Sequence, residues 1–109
     1  MPGVGVQAGE LLMFLQGLLS ESPRRRALTA DQVTDWVGSY SEADGRVLAG
    51  VLAVAACSES DATALEAQLN ALLALGALAD EVSVSYLKEL EGRPLPADLS
   101  EYVHDLLHE

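Results

Sequence analysis

Few residues in this 109-residue sequence are of the types that commonly carry covalent or metal chemistry. The two histidines, His104 and His108, lie in the segment HDLLH, where their spacing would place both imidazoles on one helix face beside Asp105. A metal ion at this face would lack an obvious third ligand, and the segment does not match HExxH. Histidines near a helix C-terminus also interact favourably with the helix dipole. We therefore predict no metal site and no cofactor.

The single cysteine, Cys57, is the only thiol that could act as a nucleophile. It ends an Ala- and Leu-rich segment, whereas the histidines belong to a different and more polar one. Reactive cysteines need a partly exposed, electropositive surrounding, and this chain is strongly acidic. No glycine-rich phosphate loop is present. We predict that the protein is not an enzyme; a small enzyme or metal protein that uses Cys57, His104 and His108 is the alternative.

Acidic residues are far in excess: 17 against six basic ones, for a net charge of −11. Residues 1–26 carry three arginines and two glutamates, whereas residues 27–109 carry three basic and 15 acidic side chains. Such a surface repels nucleic acid and anionic membranes and attracts a basic protein. We therefore predict a protein partner, with no nucleic acid and no membrane. The alternative is that the acidity serves only solubility.

Two pairs of acids stand at helical i,i+4 spacing: Asp31 with Asp35, and Glu101 with Asp105. Like charges at this spacing destabilise a helix by about 0.2–0.5 kcal/mol per pair. Stability alone would not select them, so we interpret them as candidate contacts to a basic partner.

Aromatic residues are the second candidate feature, because they often anchor protein interfaces. Trp36 and Tyr40 lie one helical turn apart, and Tyr102 belongs to the last segment. A buried anchor is the preferred interpretation of Trp36, and a surface position beside carboxylates is the alternative. The predicted partner-binding residues are Asp31, Asp35, Trp36, Tyr40, Glu42, Asp44, Glu101, Tyr102 and Asp105.

Hydrophobic spacing predicts the elements that position these residues. Residues 1–7, MPGVGVQ, are predicted to be a flexible leader, and residues 8–109 a single helical domain. The segment GELLMFLQGLLSE has an amphipathic helical pattern that SPRRR would end, which leaves Arg24–Arg26 in a solvated loop. A capping box formed by Thr29 and Gln32 predicts the start of the second helix, and Ser41 the start of the third.

The second half of the chain continues the helical pattern. SESDATALEAQLNALLALG predicts a helix that Ser58 or Ser60 caps and Gly76 ends. Its predicted buried stripe consists of Leu65, Leu69, Leu72 and Leu73. Residues 78–90 have helical spacing, although VSVSY alternates like a strand, and an isolated strand would have no partner. SEYVHDLLHE predicts a last amphipathic helix. The fold class is therefore all-α: a single domain of about six short antiparallel-packed helices, as a helical bundle or a degenerate HEAT-like stack.

Location follows from the same patterns. Glu10 precedes the first apolar run and no basic n-region is present, which is unlike a secretory signal. The apolar stretch VLAGVLAVAAC is too short to span a bilayer as a helix. One cysteine cannot form an internal disulfide, which fits a reducing compartment. We predict a cytoplasmic protein.

In these features the chain resembles the small immunity proteins of bacterial polymorphic-toxin systems. It is acidic, all-helical and of the right size, and SDATALEAQLNALLALG is similar to the helix hairpins of HEAT-like immunity proteins. Its Ala- and Leu-rich composition, with Arg favoured over Lys, is typical of a high-GC bacterial source. The resemblance implies a stoichiometric inhibitor that binds a cognate toxin, often a basic nuclease. It offers no signature motif and so assigns no binding residue.

Two other functions remain open at this stage. The first helix, with LLMFLQGLL, is apolar enough to form the interface of a homodimeric scaffold. A regulator that mimics DNA would share the acidity, but it requires carboxylates in a phosphate-like row.

Overall fold

Six α-helices build the protein, as seen in a computed structural model that describes residues 8–39, 41–76 and 81–107. The described residues contain no strand, which confirms the all-α prediction, and residues 81–91 are helical despite the alternation of VSVSY. A short 3₁₀ helix follows the second α-helix at Val37–Ser39. The predicted leader, residues 1–7, lies outside the described residues. The helices are α1 (Ala8–Leu18), α2 (Pro23–Asp35), α3 (Glu42–Ser58), α4 (Ala62–Ala74), α5 (Glu81–Glu91) and α6 (Ala97–Leu107).

The second helix begins seven residues earlier than the sequence predicted, with its N-cap at Ser22 instead of Thr29. Ser22 accepts a hydrogen bond from the backbone N–H of Arg25 at 3.3 Å, and Pro23 occupies the first turn, where its missing N–H costs nothing. The predicted Thr29 cap is therefore wrong: Thr29 is buried in the second turn and its hydroxyl donates to the carbonyl of Arg25 at 2.8 Å. Arg24–Arg26 belong to the helix and not to a loop.

Other helix ends follow local signals that the sequence carries. Ser41 caps α3 by accepting a hydrogen bond from the N–H of Asp44 at 3.1 Å, as predicted. Gly76 adopts a positive φ of 70° just after α4, which confirms it as the helix end. The predicted cap of α4 is wrong, because Ser58 ends α3 and Asp61 instead accepts from the N–H of Ala64 at 2.9 Å.

The core is made of leucine, alanine and valine, and the most extensive contact between two helices is that of α2 with α4. Small alanines on both helices let the backbones approach closely, and Val33 of α2 belongs to the same buried cluster as the leucines of α4. Val47 has the helical spacing of the buried Leu48 and Leu52, and Leu73 was predicted to be buried, but the two residues are 45% and 44% exposed. The buried residues of α2 and α4 include Ala30, Val33, Ala64, Leu65, Ala67, Leu69, Ala71 and Leu72.

An ion pair joins the start of α2 to the turn before α4. The side chain of Glu59 is only 1% exposed, and Arg26 binds it through two hydrogen bonds of 2.7 Å. Gln68 donates to the same carboxylate at 2.8 Å, and the N–H of Asp61 donates at 3.1 Å. Burial acts to raise the pKa of Glu59, but these hydrogen bonds outweigh it and hold the pKa below its usual range.

Arg93, between α5 and α6, binds the other side of the same turn. Its guanidinium donates to the carbonyl oxygens of Ala56 at 3.2 Å, of Cys57, and of Glu59 at 3.0 Å. A cation at the last carbonyls of α3 is favourable because this end of a helix is negative. The turn between α3 and α4 is therefore held by arginines from two distant parts of the chain.

Removing the charge of Glu59 should destabilise the protein strongly. We expect Glu59→Gln to lower the free energy of unfolding by about 3 kcal/mol, because it leaves the Arg26 guanidinium without its carboxylate in a desolvated place. Urea denaturation measures the change. Glu42→Gln is the matched control, because Glu42 forms an exposed pair with Arg46 at 2.7 Å and should change stability by less than about 1 kcal/mol. Equal losses for the two variants would contradict the assigned role.

The same carboxylate should make stability depend on pH in the acid range. Because the folded pKa of Glu59 is lowered, its contribution is complete above the ordinary glutamate pKa of about 4.5 and is lost as the pH falls through the folded value. Denaturation between about pH 6 and pH 3 measures this slope. Glu59→Gln should have a shallower slope than the unsubstituted protein, and parallel slopes would refute the assignment.

The contact of α1 with α2 requires a glycine. A Cβ at Gly17 would overlap Oγ1 of Thr29 and lie 2.8 Å from its Cγ2, and the hydrogen bond to Arg25 holds that hydroxyl in place. We expect Gly17→Ala to lower the unfolding free energy by about 1–3 kcal/mol despite the better helix propensity of alanine. Gly50→Ala in α3 is the control. Apart from the helix's own backbone, no atom of the described residues lies within 4 Å of its added Cβ, so this variant should be more stable. Thermal denaturation of both variants measures these changes in stability. A Gly17→Ala variant that is more stable than the unsubstituted protein would show that α1 can shift to accommodate the added methyl group.

Candidate functional site

A surface groove of about 580 Å³ lies between the C-terminal halves of α2 and α4. Asp31 and Asp35, one turn apart on α2, form one wall, and Asn70 with Leu73 on α4 faces them. Both aspartates are exposed, because the opposite side of α2 carries the buried Val33. The full lining consists of Asp31, Thr34, Asp35, Asn70, Leu73 and Ala74.

The backbone adds to the negative potential of this groove. Arg26 at the start of α2 pairs with Glu59 just before α4, and the groove residues end both helices, so the two helices run in the same direction. The carboxyl end of a helix carries roughly half a negative charge. Two such ends and two aspartates therefore converge on one groove, an arrangement that attracts a cation and repels an anion.

Asp31 and Asp35 lie where helix stability disfavours them. Acids near a helix C-terminus oppose the helix dipole, and their i,i+4 spacing adds repulsion. In the described part of the chain neither forms an ion pair. The charge order of α2 is thus reversed from the stable one, with arginines in its first turn, Asp35 in its last turn and Asp31 one turn before it.

Tyr102 on α6 extends the site beyond the groove. Its hydroxyl donates to Oδ1 of Asn70 at 2.5 Å. Burial raises the pKa of Tyr102, and the carboxylate of Glu66 raises it further, so the hydroxyl stays protonated and remains a donor. Tyr102 on α6 is therefore hydrogen-bonded to Asn70, which lines the same groove as Asp31 and Asp35 on α2.

Trp36 lies on the surface beside the site. The sequence favoured a buried anchor, but α2 ends at Asp35, and Trp36 at its C-cap is 46% exposed. The surface alternative is therefore the correct one for this residue. Val37, which follows it, is 40% exposed. Tyr40, predicted as the neighbour of Trp36, lies outside the described residues.

The remaining predicted binding residues do not line the groove. Glu42 and Asp44 lie in the first turn of α3, where acids suit the helix dipole, and Glu42 pairs with Arg46. Glu101 is exposed on α6, one residue before Tyr102. The side chain of Asp105 lies outside the described part of the structure.

Sequence reasoning missed Asn70 and the exposure of Leu73. Leu73 was assigned to the buried stripe of α4 because its spacing from Leu69 and Leu72 fits a helix face. Asn70 is the one polar residue of NALLAL, and a polar residue one helical turn before Leu73 and Ala74 is a weak signal that this face is exposed. Only the position of α2 against α4 shows that Asn70, Leu73 and Ala74 line one groove.

The thiol and the imidazole have structural partners. Cys57 is half-buried and its thiol donates to the carbonyl of Tyr86 at 3.0 Å; burial raises the pKa of the thiol, which opposes formation of a thiolate. His104 lies 3.2 Å from a carboxylate oxygen of Glu91. No cluster of three potential metal ligands occurs among the described side chains, and His108 lies outside them.

No protein-family model matches the chain, and no curated protein and no solved structure is significantly similar to it. Across the described ranges, no helix combines the length and the apolar character needed to cross a membrane.

Proposed function

We propose that the protein is a non-enzymatic binding module that captures a basic segment of another protein in the α2–α4 groove. The observation that carries the proposal is the convergence of two helix carboxyl ends and two aspartates, Asp31 and Asp35, on that groove. Intramolecular stability disfavours this charge arrangement, whereas a cationic partner would be favoured by every part of it.

The lining of the groove is complementary both to the aliphatic stem and to the charged head of a lysine or arginine side chain. Leu73, 44% exposed, and Ala74 offer apolar surface for the aliphatic stem, and the aspartates offer acceptors for the charged head. Trp36 adds an exposed aromatic face just beyond Asp35, and tryptophan binds cations and is frequent among the residues that dominate binding energy. The groove thus supplies both charge and apolar contact.

Within this class, the resemblance to immunity proteins specifies the partner. We propose a stoichiometric inhibitor that binds a basic toxin domain in the cytoplasm and covers its active surface. The net charge of −11 supports rapid capture of such a domain, because opposite charges accelerate diffusional encounter.

The partner should bind through the groove carboxylates. We expect Asp31→Lys with Asp35→Lys to abolish retention of a basic, stoichiometric partner from a lysate of the source organism, measured by affinity capture and mass spectrometry. For the unsubstituted protein, the association rate with the purified partner should fall steeply as salt is raised, because the encounter is steered by charge. Addition of one equivalent of the protein should suppress the activity of that partner.

The control carries the same change of charge at another place. Glu21→Lys with Glu89→Lys alters two exposed carboxylates that do not line the groove, so this variant should retain the partner. Retention by the groove variant, or equal loss in both variants, would argue against the groove. Capture of a basic partner whose activity is unchanged would support a binding module and exclude an inhibitor.

A further inference from the structure

The outward side of α2 carries both signs of charge and an apolar residue between them. Arg24, Leu28, Asp31 and Asp35 stand at i, i+4, i+7 and i+11, which is one side of a helix, and all four are exposed. Leu28 is 56% exposed. In the described part of the chain no residue pairs with the charged heads of Arg24, Asp31 or Asp35. We call these four residues the α2 stripe.

The α2 stripe is complementary to itself under a two-fold rotation. If two α2 helices lie antiparallel with Leu28 at the axis, the rise of about 1.5 Å per residue places Arg24 roughly 6 Å to one side. Asp31 and Asp35 of the other helix then lie about 4.5 and 10.5 Å from the axis on that same side. The guanidinium therefore comes between two carboxylates, and symmetry repeats this contact.

We infer that two copies of the chain associate through α2, antiparallel and two-fold symmetric, with Leu28 against Leu28 and Arg24 between the partner's Asp31 and Asp35. This interface goes beyond the proposed function, because a basic partner accounts for the carboxylates but not for Arg24 or for the exposed Leu28. Both occupants use the same carboxylates, so a basic partner would displace the second copy.

Charge sets the strength of this dimer. The net charge of −11 on each chain opposes association as a whole, so the dimer should dissociate on dilution. At the α2 stripe the positive end of one copy meets the negative end of the other, which offsets part of this repulsion.

Analytical ultracentrifugation of the full chain tests the inference with two complementary variants. Arg24→Glu alone should raise the dimer dissociation constant by at least about tenfold, because each dimer contains the reversed contact twice. Asp31→Lys with Asp35→Lys should do the same. In an equimolar mixture, however, the glutamate of one chain meets the two lysines of the other and the second contact is unchanged, so a heterodimer should form.

Two further variants separate this surface from others. Lys88→Glu on α5 carries the same charge change as Arg24→Glu and should leave the dissociation constant unchanged. Leu12→Ser with Met13→Ser removes the exposed apolar residues of α1, which are 55% and 66% exposed, and should also leave it unchanged. A dimer lost in this α1 variant but kept in the α2 variants would overturn the inference in favour of the first helix.

The remaining outcomes are equally decisive. A chain that is monomeric at millimolar concentration overturns the inference, as does a mixture of the two α2 variants that fails to form a heterodimer. Neither result touches the proposed function, which is tested by retention of a basic partner. A dimer rescued in the mixture supports the inference even if no basic partner is found.

Discussion

The buried ion pair between Arg26 and Glu59 is the interaction on which the arrangement of α2 and α4 depends. Arg26 lies in the first turn of α2, and Glu59 immediately precedes α4, so the pair fixes the two amino-terminal ends side by side. Burying two charges is unfavourable unless hydrogen bonds satisfy them, and Gln68 and the Asp61 N–H do so for the carboxylate. The side-chain oxygen of Gln68 is buried and has no hydrogen-bond partner among the described residues, which is a cost of this network.

The position of the groove follows from that constraint. With their amino ends held together and alanines between them, α2 and α4 remain in contact along their length, so their carboxyl ends also lie side by side. Arg26 lies in the first turn of α2, where a positive charge opposes the helix dipole. Its ion pair with Glu59 explains why an arginine occupies this position. Asp31 and Asp35, which also oppose the dipole, form no ion pair with the described residues that would explain them in the same way.

The sequence predicted most of the fold, because the helical spacing of leucines and the polar caps are local signals. The predicted start of α2 was wrong. Two local sequence signals for a helix N-terminus compete there: Ser22 followed by Pro23, and the Thr29–Gln32 capping box. The partner that favours the earlier start is Glu59, 33 residues away from Arg26, and no local pattern contains it. The same limit applies to Glu59, whose burial depends on that distant arginine.

The lining of the groove also contains residues that the sequence could predict and residues that it could not. Asp31 and Asp35 were found because their repulsive spacing is visible in the sequence. Asn70 and Leu73 were missed because their exposure depends on where α2 ends over α4, which is a property of the packed pair.

Charge and apolar contact contribute differently at such a site. Carboxylates in an open groove remain hydrated and are screened by salt, so they mainly raise the rate of encounter and select the sign of the partner. The helix carboxyl ends add to the same field, and that part survives replacement of the aspartates by amides. Affinity must come largely from surface that loses water on contact. Near the groove, that surface is Trp36 and Leu73, which a folded chain gains nothing by exposing. In the proposed module, the aspartates of α2 would therefore accelerate the encounter with a basic segment. Contacts with the exposed Trp36 and Leu73 would supply most of the affinity.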